Sequence, residues 1–171
     1  MLVIRDLQKK YRNYRRGYLW SLLEPLGMTL VLWLVFSVLL GARKLGLQPY
    51  VLFLTVAILP WWWFTKGVAA STRVFRRNSS QLLISMLPTQ VWVLRVQLVQ
   101  LAEFVVSLPV LIVAVVVTRT MPSPLIVLFP IAVVLQFILM YGIALLISSW
   151  SLVVPDLERF VRIFMRAAFY L

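Results

Sequence analysis

Four apolar runs, Leu26–Leu40, Tyr50–Ala70, Val91–Thr118 and Leu125–Val154, decide what this chain of 171 residues can fold into. A helix needs about 20 apolar residues to cross a bilayer's hydrocarbon, and few soluble helices reach that length without charge on one face. The second, third and fourth runs meet the requirement. The first is short, and Trp20–Leu23 can begin its approach to the membrane. A further apolar stretch, Phe160–Leu171, reaches about half-way across. The expected architecture is therefore an all-α membrane protein with four complete transmembrane helices and the start of a fifth. All connections are short, so residues 1–171 form one domain.

Composition closes the alternatives. Hydrophobic residues make up 63% of the chain and charged residues 13%, more apolar surface than a soluble domain of this length can hide. There are no cysteines and no histidines, and only five acids, so disulfides and thiolate chemistry are excluded. Neither a metal site nor a catalytic acid–base pair is expected. The net charge of +12 would fit nucleic acid, but the cations sit at the ends of the apolar runs. Gly41 and Gly46 have P-loop spacing, yet Leu47 and Gln48 stand where Lys and Ser/Thr are required, so no nucleotide site is expected.

Residues 1–25 differ in kind. Ile4, Leu7, Tyr11, Tyr14, Tyr18 and Leu22 fall on one helical face, and Arg5, Lys9, Arg12 and Arg16 on the other. Such a helix can lie flat in the lipid interface, rings toward the hydrocarbon and cations toward anionic head groups. The cations also form a row that would attract a phosphate-bearing lipid. Between the second and third runs lies Ser71–Gln90. There Asn78 followed by Gln81 reads as a capping box, opening a short helix Gln81–Leu87 that Pro88 stops. Leu82, Leu83, Met86 and Leu87 make that helix adhesive, and an apolar face on a helix too short to stand alone calls for a groove in a partner protein. Pro155–Arg159 is a second short polar connection, a secondary contact through Asp156–Arg159.

Orientation follows from Lys and Arg in short loops. Six lie in residues 1–25, four in Arg73–Arg95 and three in Arg159–Arg166, while Arg43, Lys44 and Arg119 lie on the opposite side. The N-terminus and both polar connections are thus expected in the cytoplasm.

Within the spans a few residues stand out. Pro60 removes a backbone hydrogen bond from the second span and is expected to kink it. Trp61, Trp62, Trp63 and Phe64 follow, with Trp61 about 16 Å down from Tyr50, near mid-bilayer, where tryptophan is unusual. One or two of these rings can line a path through the membrane; the alternative is packing in the gap left by Pro60. Glu103 is an acid inside a span, with Arg95 two turns away. It is a candidate for the transport path or for a contact holding spans together. Lys66 is expected to snorkel to the interface, and Gly142 to mark a close helix approach.

Arg5-Asp6-Leu7, Lys10-Tyr11-Arg12, Gly17, Leu19-Trp20, Pro25-Leu26, Pro49-Tyr50, Leu59-Pro60-Trp61 through Phe64, Asn78, Leu87-Pro88 and Pro155-Asp156-Leu157 occur in an order that resembles the permease family of ABC exporters for O-antigen, capsular polysaccharide and teichoic acid. The chain departs from that pattern at Arg16-Gly17-Tyr18, at Pro155 and at Thr89-Gln90. The resemblance implies a homodimeric permease of the bacterial cytoplasmic membrane, with six spans where this chain has begun only its fifth. It implies a separate cytoplasmic ABC ATPase as partner, with ATP used there and no cofactor of the permease's own. Asn78–Leu87 would be the coupling helix beneath that ATPase, with Asp156 and Glu158 beside it. Arg5, Lys9, Tyr11, Arg12 and Arg16 would flank the place where a lipid-linked glycan or polyol-phosphate polymer is admitted. A channel, or an intramembrane lipid-linked sugar transferase, is the competing class. The first needs charges or a carbonyl filter along a span, the second acids or histidines at the interface.

Overall fold

The computed structural model describes residues 27, 28, 30, 31, 34, 50–77, 88–119, 123–154 and 156–170. Every element among them is helical: α1 (Tyr50–Ser71), α2 (Val74–Arg77), α3 (Thr89–Thr118), a 3-10 turn (Pro124–Leu128), α4 (Phe129–Val153) and α5 (Leu157–Tyr170). Three stretches, Leu52–Ser71, Thr89–Thr118 and Ile126–Val153, are long and apolar enough to cross a membrane. They coincide with the second, third and fourth expected spans. Of the first, only Gly27, Met28, Leu30, Val31 and Leu34 are described, all on helical backbone. The interfacial helix of residues 1–25 and the short helix opened by Asn78 lie outside the described residues.

Local chemistry explains the boundaries. α1 continues through Pro60, and Pro109 is likewise accommodated inside α3. At the end of α1 the Ser71 and Thr72 hydroxyls donate to the carbonyls of Gly67 and Ala69, taking up acceptors of the last turn. α3 starts where the Val91 amide bonds the Pro88 carbonyl and stops at Arg119, whose φ of 50° is the left-handed conformation that ends a helix. α5 begins at Asp156, whose carbonyl accepts from the amides of Arg159 and Phe160, and Glu158 in the first turn suits the positive end of the helix dipole.

The chain divides into two compact units. In the unit formed by Ile4–Trp62 and Ala102–Phe129, α1 buries Leu54, Thr55, Ile58 and Leu59, and α3 buries Phe104, Ser107, Val110 and Ala114. The hydroxyls of Ser107 and Thr118 donate to carbonyls of their own helix, at 2.7 and 2.8 Å, so neither is left unsatisfied in an apolar setting. The other unit comprises Met1–Val3, Trp63–Leu101 and Pro130–Leu171. Its core joins Val74 and Phe75 of α2 to Trp92 and Val93 of α3 and Ala144 of α4. The one-turn α2 therefore packs against α3 and α4.

α4 packs through a narrow stripe. Met140, Ala144, Ser148 and Ser151 are buried, while Ile131, Val134, Leu135, Ile138, Leu139 and Leu146 are exposed. Lipid is the natural cover for such a surface in a membrane-spanning helix.

Candidate functional site

The second unit gathers the end of α1, α2, the start of α3, nearly all of α4 and α5. Two polar constellations are built there. The first is buried. Gln97, fully inaccessible on α3, donates through Nε2 to the Gly67 carbonyl at 3.1 Å and to Ser71 Oγ at 2.9 Å. Ser71 in turn donates to Gly67 at 2.8 Å. A side-chain amide thus ties α3 to the backbone of α1. Gly67 is what permits it. A Cβ there would meet Met140 Cε at 2.2 Å and Gln97 Oε1 at 2.9 Å. The close helix approach expected at Gly142 is located here instead. A Cβ on Gly142 would meet nothing within 4 Å among the described residues, because that position faces outward on α4.

The second constellation is ionic and half-exposed. Arg73, in the turn after α1, donates to the Glu158 carboxylate of α5, and Arg162 donates to the same oxygen from one turn further on. The hydrogen bond from Arg73 contributes most to holding the Glu158 carboxyl below the usual glutamate range. The charges of Arg73 and Arg162 add to it, against the upward push of desolvation. Arg159 lies 3.7 Å from Asp156 on the outer surface, a looser pairing.

The remaining candidates take distinct places. Trp63 is buried, whereas Trp61, Trp62 and Phe64 are half-buried. Arg95 lies over the ring of Trp92, its guanidinium carbon 5.2 Å from the centroid, a cation–π arrangement on one helix face. Glu103 is half-buried further along α3, and Lys66 is exposed. Asp156 is exposed and Glu158 is half-buried. The candidates Arg5, Lys9, Tyr11, Arg12, Arg16, Asn78, Gln81, Leu82, Leu83, Met86 and Leu87 lie outside the described residues. No group of three or more acidic, His or Cys side chains that could hold a metal occurs among the described residues.

Sequence reading missed Gln97, Ser71 and Arg73. Gln97 did carry a signal: an amide in an apolar span must find partners, since lipid offers none. Arg73 carried none, because its partner is 85 residues away.

Long apolar helices, hydroxyls satisfied within their own helices and an amide tying two spans together define a multi-pass α-helical membrane protein. No family model matches the chain. Among curated proteins, it is similar to the O-antigen export system permease protein RfbA of Klebsiella pneumoniae, 28% identical over 97% of this chain. It is 29% identical over 94% of its length to the protein of the same name from Myxococcus xanthus. The chain spans 63% and 60% of the length of these two relatives.

Proposed function

We propose that the chain is part of the transmembrane subunit of an ATP-driven exporter for a lipid-linked polysaccharide or polyol-phosphate polymer. The observation that carries the proposal is similarity to O-antigen export permeases along nearly the whole chain, including the apolar spans. On this reading residues 1–171 are one permease domain with an interfacial N-terminal helix, four spans and the start of a fifth. The N-terminus lies in the cytoplasm, and two copies pair in the bacterial inner membrane. ATP is hydrolysed by a separate subunit that docks on Asn78–Leu87. The Arg73–Glu158 pair supports the docking role, because it connects the turn leading toward that helix with the second polar connection. Trp61 and Trp62, half-buried on α1, are the aromatic rings offered to the polymer, with Glu103 further along the path. The cations of residues 1–25 admit the phosphate-bearing lipid.

The test is reconstitution with a P-loop ATPase from the same source, with a lipid-linked glycan supplied on one side of the vesicle. ATP-dependent appearance of the glycan on the other side is expected. Glu substitutions at Leu83 and Met86 should abolish co-purification of the ATPase while membrane insertion stays intact. Solute flux without ATP would establish a channel, and sugar transfer in its place a transferase.

A further inference from the structure

α5 is unlike the spans before it. Its packed side carries Leu157, Glu158, Val161, Met165 and Ala168, all buried or half-buried. The opposite side is divided lengthwise. At 100° per residue, Arg159, Arg162 and Arg166 fall within one sixth of the circumference. Beside them run Ile163, Phe160 and Phe164, exposed at 68, 65 and 56%. The two phenylalanine rings stack with centroids 6.2 Å apart, which makes them a continuous apolar strip. A cationic stripe alone would face water and an apolar strip alone would face lipid. The two side by side fit a molecule that is itself divided, anionic at one end and hydrocarbon at the other.

We propose that this exposed half of α5 receives a lipid-linked diphosphate, its phosphates on the arginine stripe and its hydrocarbon chain along Phe160, Ile163 and Phe164. This rests on the export reading above and names a contact within it. Arginine suits the head group because its planar fork matches phosphate oxygens in pairs. The stripe's length favours a travelling head group over a resident phospholipid. Arg159 to Arg166 covers about 10 Å along the helix axis. On the export reading α5 is the start of a fifth span, so its axis runs across the bilayer. Resident phospholipids keep their phosphates at one depth, whereas a lipid-linked cargo in transit presents its diphosphate at successive depths. One arginine per turn provides successive positions. Arg162 is already engaged by Glu158 and Arg159 only loosely by Asp156, at 3.7 Å on the outer surface, so Arg159 and Arg166, at the two ends of the stripe, are the groups to test.

The experiment uses the full chain in phosphatidylcholine nanodiscs with a polyprenyl diphosphate as probe, read by native mass spectrometry. Retention of the diphosphate should exceed that of the uncharged polyprenol by about tenfold, since only the former makes charge-assisted bonds. The double variant Arg159→Gln/Arg166→Gln should remove that preference, and Arg159→Lys/Arg166→Lys should keep most of it. An unchanged elution profile for both variants establishes that they fold. Excess phosphatidylglycerol should not displace the probe. Three results would overturn the proposal: displacement by phosphatidylglycerol mole for mole, retention unaffected by the glutamine pair, or protection of the α5 surface by a second copy of the chain. The assay contains neither ATP nor polymer, so its failure is separate from a failure of ATP-driven export.

Discussion

Arg73 and Glu158 are 85 residues apart and share a hydrogen-bonded ion pair that joins the turn after α1 to the first turn of α5. The link crosses no span. It ties two connections to each other, and Arg162 steadies the carboxylate from α5 itself. Arg73 is more than half exposed, so the pair contributes below about 1 kcal/mol to stability. Its value is positional.

The chain has no cysteines, so a pair introduced at Arg73→Cys and Glu158→Cys reports only on itself. A short bifunctional maleimide should join them within one chain in native membranes. Cross-linking only between chains would contradict the intramolecular link. On the export reading, Glu158→Gln should lower ATP-driven transport several-fold in the reconstituted system while protein abundance changes little, the pattern of a positioning contact.

The same pair has a pH signature. Glu158 titrates below the ordinary glutamate range when folded, so its contribution is fully present above the unfolded value of about 4.3. It is lost as pH falls through the depressed folded value. Arg73 stays charged throughout. Thermal unfolding in detergent should therefore show wild-type and Glu158→Gln converging as pH drops through the acidic range, and separating at neutral pH. A constant difference at every pH would show that Glu158 does not act through its charge.

Gly67→Ala should destabilise by about 1–3 kcal/mol, because the new methyl overlaps Met140 Cε and Gln97 Oε1, the ends of two fully buried side chains that must shift to admit it. Adding Met140→Ala should recover part of the loss, since the nearer obstacle is the far end of that side chain. Gly142→Ala should be neutral or slightly stabilising, through helix propensity alone. Equal effects at the two glycines would be incompatible with the close approach described here.

Gln97→Leu keeps volume but removes both donated hydrogen bonds, and a loss of about 1–2 kcal/mol is expected. The loss is moderate because Ser71 continues to satisfy the Gly67 carbonyl. Gln97→Ala should cost more, through the cavity it leaves. Unfolding of the two variants under identical detergent conditions provides the comparison, and a leucine variant worse than the alanine would point to overpacking instead.

The three consecutive tryptophans should separate in function. Trp63 is buried, so Trp63→Ala should lower protein abundance and export together. Trp61→Ala and Trp62→Ala should leave abundance near normal, and at least one should lower export. If neither does, the rings are packing elements and line no path.

The apolar runs Tyr50–Ala70, Val91–Thr118 and Leu125–Val154 were readable as spans because hydrocarbon solvent acts on each segment separately. The need for some twenty apolar residues and for internal hydrogen bonding is met within one helix, whatever its neighbours are. Helix boundaries were similarly local, set by Pro88 and Thr118-Arg119 for α3 and by Asp156 for the start of α5. Which residues meet was not readable. A span that is apolar all round has no polar face to show which side turns inward, and lipid is as good a solvent for leucine as another helix is. Gly67 and Gly142 are therefore equivalent in sequence, and only the packing of Met140 and Gln97 against Gly67 distinguishes them. The exposed Phe160 and Phe164 show the same limit: as a run, residues 160–171 read as the start of a span, and only the packing of Val161 and Met165 decides which side of that helix is left exposed. Glu158 takes one partner, Arg162, from its own helix and the other, Arg73, from a turn 85 residues earlier, and that second choice is made by the meeting of the turn with α5.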